Sequence, residues 1–262
     1  MRILAALKQV PDTSEVRIDP ERGTLIRDGV PSIMNPFDAY ALEEGLRWRD
    51  ALGGEVIAIT MGPPQAEAIL REAISMGADS AILLSDRSFA GADTWATSHT
   101  LAAAVRKIGG IDLVLTGKQA IDGDTAQTGP GIAASLDWPQ LTFVGKVREI
   151  ADSVIVAERD VEGGVEIVEC PLPAVISILK DANSPRMPSL RGKMKARSAV
   201  ITCWGRADLG LTEEETGLDG SPTRVVRIAT PEARSGGAVH TGTADEMAVV
   251  LADLLLGKEA GR

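Results

Sequence analysis

Four short aliphatic runs alternate with three helical patterns over the first 140 residues, and that alternation restricts the possible folds more than any other feature. RILAAL (2–7), EVIAITMG (55–62), SAILLSD (80–86) and IDLVLTG (111–117) are each stopped by Gly, Asp or Lys. Between them, NPFDAYALEEGLRWRDAL offers Asn35 as N-cap and Pro36 at the first helical position. PPQAEAILREAISMGAD puts Ala66, Ile69, Leu70, Ala73 and Ile74 on one face and ends at Gly77, a residue suited to C′. DTWATSHTLAAAVRKIGG opens on an Asp-Thr pair and closes on paired glycines. The β-α-β-α-β-α-β order predicts an α/β fold with a doubly wound, mostly parallel, Rossmann-like sheet. Aromatic residues make up only 3% of the chain, so the core must be Ala, Val, Ile and Leu, as suits buried parallel strands.

Departures from this rhythm mark the rest of the organisation. Residues 13–33 read as a polar, hairpin-like insertion inside an α/β domain spanning 1–180. SVIVAERDV and VEIVEC flank Gly163-Gly164 as in a β-hairpin, and PAVISIL (173–179) reads as a further buried strand. Residues 181–200 are basic and loop-like. Residues 201–262 form an extended arm with a final helix, ADEMAVVLADLLLG. So few core-forming runs in the last 80 or so residues point to packing on a partner subunit.

Several function classes drop out. A net charge of −10 argues against nucleic acid or an anionic membrane as the main partner. Two histidines, His99 and His240, exclude a multi-histidine metal site, and Cys170 and Cys203 have no metal-ligand spacing. Ser, Cys and His form no nucleophilic constellation, so no catalytic residue is assigned. The N-terminal apolar run is too short for a signal peptide, and nothing approaches the roughly 20 apolar residues of a membrane span. A cytoplasmic protein, or the mature form of an organellar one, is expected.

GKQAIDGDTAQTGP (117–130) follows the last strand of the repeat. Strand, glycine-punctuated turn and helix start is the layout at which nucleotide phosphates bind. With a helix beginning near Asp124 or Thr125, Asp122 or Asp124 either caps its amides or accepts from a ribose hydroxyl. Gln119, Thr125, Gln127 and Thr128 supply neutral donors, and Gly123 and Gly129 permit close backbone approach. From residue types alone, a plain helix cap is an equally good reading.

That loop, together with MNPFDAYALEEGLR, VIAITMGPPQAE, AISMGADSAILL and LDWPQLTF, resembles the β subunit of electron transfer flavoproteins, in the same order, from residue 2 to about residue 200. The resemblance implies a heterodimer with an FAD-bearing α subunit and an adenine nucleotide bound in the β subunit. It implies nucleotide contacts from Ala6, from Asn35, Pro36, Phe37 and Asp38, and from Met61. The rest come from Gln119, Ala120, Ile121, Asp122, Gly123, Asp124, Thr125, Ala126, Gln127, Thr128, Gly129 and Pro130.

The family divides over what that site holds. Ordinary members hold structural AMP, and the electron-bifurcating members hold a second FAD reduced by NADH. SDRSFAGADTWATSHTL (85–101) resembles the bifurcating group, with Asp93 as an N-cap and Thr94 and Thr97 as donors. The N-terminal LKQVPDTSEVRIDPERGTLIRDG does too, which brings Lys8 toward the site. Trp95 lies in the same loop and either touches the flavin ring or faces outward. The function implied is bifurcation of electrons from NADH between a high-potential flavoprotein dehydrogenase and ferredoxin or flavodoxin. The alternatives are an AMP-bearing carrier for acyl-CoA-type dehydrogenases and a non-redox nucleotide-binding regulatory domain. NSPRMPSLRGKMKAR (183–197) is similar to the family's recognition loop for an acyl-CoA dehydrogenase-like flavoprotein. Leu190 stands there as apolar anchor, with Arg186 and Lys193 as steering charges.

Overall fold

The computed structural model describes residues 1–12, 17–18, 25–26, 31–151, 153–226 and 239–257. Two compact units divide the chain, Met1–Val225 and Val226–Arg262.

The aliphatic runs of the first unit are strands β1 (Arg2–Ala6), β6 (Glu55–Met61), β7 (Ser80–Leu84), β8 (Leu113–Gly117) and β12 (Ala174–Ile178). Helices α1 (Pro36–Leu52), α2 (Glu67–Met76), α3 (Thr94–Ile108) and α4 (Thr128–Leu136) fall between them. One nine-stranded sheet results, and its central strands run parallel in the order β12-β8-β1-β6-β7. The chain steps outward from β1 to β6 and β7, then crosses back to β8 on the other side of β1. The topological switch point, where doubly wound sheets open a crevice at the carboxyl ends of their strands, is therefore between β1 and β8.

Alternation along each strand separates two apolar layers. Ile3, Ala5, Leu7, Val56, Ala58, Leu113 and Leu115 pack with Leu42 and Leu46 of α1 and with Ile69, Leu70, Ala73 and Ile74 of α2. Leu4, Ile57, Ile59, Ile82 and Val114 pack with Leu101, Ala104 and Val105 of α3 and with Ile132 and Ala133 of α4. The face expected of α2 is the buried one. Gly77 closes that helix at φ +135, donating to the carbonyls of Ala73 and Ile74.

Three elements were not expected. β9 (Gln140–Ala151) is the longest strand, and it links β12 to an antiparallel hairpin of β10 (Val154–Val161) and β11 (Gly164–Pro171). Only the hairpin's two arms are legible in the sequence, because exposed Lys146, Arg148 and Glu149 break the apolar rhythm of β9. β13 (Thr202–Trp204) adds a parallel edge beside β7. Within 181–200, residues Leu190–Ser198 form a helix, α5, capped by the Ser189 side chain on the Gly192 amide. The insertion is hairpin-like in its described parts: β2 (Gln9–Pro11) pairs with β5 (Ser32–Met34), and β3 (Arg17–Ile18) with β4 (Leu25–Ile26), both antiparallel.

The segment before α5 is fastened to α1 through two buried acids. Glu43 takes the Arg186 side chain at 2.8 Å and its backbone amide at 3.0 Å, and Asp50 takes the same guanidinium at 2.9 Å. Glu44 accepts from Asn183 at 2.8 Å and from the Trp48 indole at 2.8 Å. Arg186 is thus engaged within its own chain. The docking of α5 on α2 depends on Gly192, where a Cβ would lie 2.0 Å from the Ser75 carbonyl oxygen. Gly192→Ala should lower stability by about 2 kcal/mol, the usual cost of overpacking. Urea unfolding tests this, and an unchanged midpoint would show that α5 is not seated on α2 in solution.

A short helix, α6 (Arg206–Leu209), follows β13, and in the second unit α7 (Ala244–Leu255) carries a capping box of Thr243 and Glu246. Within that unit Val249, Leu251, Leu254 and Leu255 remain exposed. Among the described residues no helix is long and apolar enough to cross a membrane.

Candidate functional site

The switch-point crevice is framed from both strand ends. Asp38, in the first turn of α1, is buried and accepts from the Lys8 amide at 2.7 Å and from the Gly117 amide at 3.1 Å. It therefore brackets the first residues beyond β1 and the last residue of β8. Burial pushes its carboxyl up from 3.8 to about 7, against the opposing pull of Asn35, of those two amides and of the Lys8 charge.

Asn35 occupies the N-cap position of α1, but its side chain makes no capping bond. It reaches instead to the loop after β8, donating to the Gln119 carbonyl at 2.9 Å and accepting from the Ile121 amide at 3.3 Å. Pro36 follows, with no amide to satisfy, so the helix start tolerates the diversion. Lys8 adds a third tie, its ammonium lying 2.6 Å from Asp122. Lys8, Asn35 and Asp38 are thereby tied to Gly117, Gln119, Ile121 and Asp122, while Ala6 ends β1 two residues before Lys8 and Phe37 precedes Asp38 in α1. Met61 ends β6, the neighbour of β1.

Neither loop aspartate caps a helix. Asp122 pairs with Lys8, and Asp124 accepts from the Gln119 side chain. The helix begins later than expected, at Thr128, because Asp124 and Ala126 adopt left-handed φ values of 55° and 54°, which no helix accommodates. The turn is closed by the Asp124 amide on the Ala120 carbonyl at 2.8 Å. As a result α4 starts without a side-chain cap, and its N-terminal amides are available to an anion. Gly129 packs against β8, where a Cβ would sit 2.8 Å from the Thr116 hydroxyl oxygen. That hydroxyl is buried and has no hydrogen-bond partner among the described residues.

A second loop adjoins the first. Thr94 Oγ1 donates to the Gln127 side chain at 3.3 Å, joining the starts of α3 and α4. Deeper in, Ser98 Oγ bonds to the Thr94 carbonyl at 2.6 Å and the Thr128 carbonyl at 3.2 Å. Gly131 permits this approach, since a Cβ there would fall 2.4 Å from Ser98 Oγ. Asp93 does cap α3, accepting from the Ala96 amide at 3.1 Å. Its other oxygen takes the Thr223 amide at 3.0 Å and hydroxyl at 2.8 Å. Although burial works the other way, the Ala96 and Thr223 donors hold its carboxyl below the usual range. Sequence reasoning missed this strap, because nothing near residue 93 signals a partner 130 positions downstream.

Leu190 and Lys193 lie apart from this opening, on α5. Leu190 and Met194 are exposed there, as is Met187 just before the helix, with Arg191, Lys193 and Arg197 also at the surface. Among the described residues no cluster of three or more His, Cys, Asp or Glu has a metal-binding arrangement.

Residues 22–209 match the electron transfer flavoprotein domain. The chain belongs to the electron transfer flavoprotein family. Some similar proteins carry β-subunit names, and others are subunits or proteins named otherwise. The caffeyl-CoA reductase-Etf complex subunit CarD of Acetobacterium woodii is 53% identical over 93% of each chain. The electron transfer flavoprotein subunit beta of Thermoanaerobacterium thermosaccharolyticum is 51% identical over 94% of each. Protein FixA of Bradyrhizobium diazoefficiens is 46% identical over 97% of this chain and 91% of its own. At the starts of α3 and α4 this β subunit presents backbone donors, hydroxyls and glycine-cleared approaches.

Proposed function

We propose that this β subunit binds FAD at the switch-point opening, accepts electrons from NADH, and works in a heterodimer with an electron transfer flavoprotein α subunit. The observation that carries the reading is the Thr94–Gln127 bond, which makes the starts of α3 and α4 one continuous frame. A mononucleotide needs only the loop after β8, whereas a dinucleotide has use for both. The residues fit such a group: the uncapped start of α4 and Thr128 suit phosphate oxygens, Asp122 or Asp124 a ribose hydroxyl, and Gly129 a close backbone approach.

When bound, the flavin supplies hydride acceptance and onward transfer of single electrons. The chain's own part is to hold and orient. Asp38 and Asn35 fix the opening before any ligand arrives, so little ordering entropy is lost on binding. In this reading one electron path leads to an acyl-CoA dehydrogenase-like flavoprotein and the other to ferredoxin or flavodoxin. The similarity to a subunit of a caffeyl-CoA reductase-Etf complex supports a dehydrogenase-type partner. Leu190, with Lys193 and the other exposed cations of α5, is the docking surface for it. A self-contained regulatory domain has no use for that surface or for the apolar face of α7.

Flavin and AMP stoichiometry in the co-expressed complex tests the reading. Two FAD and no AMP per heterodimer are expected after denaturation and chromatography. One FAD with one AMP would replace it with an ordinary carrier whose β site holds a structural nucleotide.

A further inference from the structure

Two of the chain's seven methionines stand apart from the rest. Met34 and Met76 are buried in the core, and Met1, Met61 and Met247 are half-buried. Met187 and Met194 are 86% and 64% exposed, and they flank Leu190, itself 79% exposed, within eight residues of chain. The seating of α5 accounts for the exposure of Leu190 and Met194. Gly192 and Ala196, four positions apart, turn toward the protein: Gly192 packs on the Ser75 carbonyl of α2, and Ala196 is buried. Leu190 and Met194 are also four apart and lie about half a turn round from that pair, so the packing of α5 on α2 forces them outward. Arg191, Lys193 and Arg197 share that surface. A thioether is apolar and more adaptable than a branched side chain, which suits a surface that meets a partner only briefly. Methionine differs from leucine in one further respect: a two-electron oxidant converts it into a polar sulfoxide.

We propose that Met187 and Met194 form a reversible oxidation site through which hydrogen peroxide weakens docking at α5. The inference rests on the docking reading above and adds a regulation to that surface. A sulfur lone pair attacks one peroxide oxygen, and the O–O bond breaks as the S–O bond forms. Sulfur gives up two electrons and the peroxide takes them. The transferred oxygen passes its proton to the departing one, which leaves as water. Exposure sets the order of attack, so Met187 and Met194 react before Met34 and Met76. Each sulfoxide carries an oxygen that loses its hydration when the surface is covered, which costs binding unless a donor replaces the water. The apolar surface around Leu190 is then no longer apolar. Thiol-dependent methionine sulfoxide reductases remove the oxygen again, so the change is a switch rather than a lesion.

The test uses the complex co-purified with its α subunit, with a butyryl-CoA dehydrogenase and butyryl-CoA as the electron source. The complex is exposed briefly to hydrogen peroxide, the excess is removed with catalase, and oxidised methionines are located by peptide mass spectrometry. Met187 and Met194 should be the first to gain oxygen. The KM for the complex should then rise about five- to tenfold with kcat little changed, and methionine sulfoxide reductase with a thiol should restore it. Each variant is compared with its own untreated value. The double variant Met187→Leu/Met194→Leu should show no peroxide-induced rise in KM. Met194→Gln, which places a polar amide where the sulfoxide would be, should raise KM without peroxide. An equal rise in the double variant, or an unchanged KM in a parent oxidised at both residues, would overturn the oxidation site and leave the docking surface standing. An untreated Leu190→Ala complex with the parent's KM would overturn the docking reading and this inference with it.

Discussion

Gly117→Ala is expected to lower stability by about 3 kcal/mol or more, at the upper end of overpacking costs, and to empty the nucleotide site. A Cβ at this position would lie 2.4 Å from Asp38 Oδ1 and 2.7 Å from both the carbonyl carbon and the Cβ of Phe37. Backbone φ is not the obstacle, because Gly117 is absent from the left-handed residues. The difficulty is that Phe37 and Asp38 belong to the first turn of α1, which is pinned from below by Leu42 and Leu46 in the core. To clear the methyl group, the helix start must lift away from β8. Lifting it breaks the Asp38 bond to the Gly117 amide and pulls Asn35 from the loop at 119–121. Gly123→Ala is the matched control, since only the flexible Lys8 ammonium, 3.9 Å away, would meet its Cβ. It should stay within about 0.5 kcal/mol of the parent, as surface changes usually do. Urea midpoints of both variants, with nucleotide retained by Gly117→Ala against the parent, decide the matter. A Gly117→Ala variant as stable as Gly123→Ala would mean that the α1–β8 contact yields, and that the bracket is not rigid.

How much of this could be read from the sequence follows from the range of the interactions involved. The parallel repeat was legible because each strand and helix carries its own signal in the period of its apolar residues, as at Ile69, Leu70, Ala73 and Ile74 of α2. The Asp93 cap was legible for the same reason, its partner Ala96 being three residues away. The residues gathered around the opening were named through a family resemblance, and the chain does belong to that family. Their individual duties were not legible. Asn35 looks like a cap and is a cross-brace to Gln119 and Ile121, over 80 residues on. Asp122 and Asp124 look like caps for a helix that left-handed residues delay until Thr128. β9 was hidden because a half-exposed strand carries charges where the pattern requires apolar residues. Arg186 reads as a free basic residue until Glu43 and Asp50 of α1 are seen beside it. For Asn35, Asp122 and Arg186 the deciding partner is remote in sequence, and local chemistry cannot report it.

Asp38 is the site residue whose chemistry makes the second large prediction. Its carboxyl is pushed up to about 7 in the folded chain, first by burial, and returns to its ordinary 3.8 when the chain unfolds. Between those two values the folded state binds a proton that the unfolded state has released, so stability must fall as pH rises across that window. The contribution is fully present below about pH 4 and is lost by about pH 7 to 8; at 1.36 kcal/mol per pH unit it amounts to about 4 kcal/mol. The depressed carboxyls of Asp50, Asp86 and Asp93 act in the opposite sense, but only in more acidic solution, near and below their ordinary value. Asp38→Asn removes the titration while keeping the shape. Its amide can satisfy only one of the Lys8 and Gly117 amides and turns an NH₂ toward the other, which costs about 1–3 kcal/mol at any pH. The parent should therefore be clearly more stable than the variant at pH 5, and the gap should narrow or reverse by pH 8. Nucleotide retention should follow the same course, because the bracket that Asp38 forms is the frame of the opening. Chemical denaturation of both chains from pH 5 to 8 gives the difference directly, with all other titrating groups cancelling. Parallel stability profiles would show that Asp38 does not titrate in this range, and that the buried carboxylate is held ionised by its two amides.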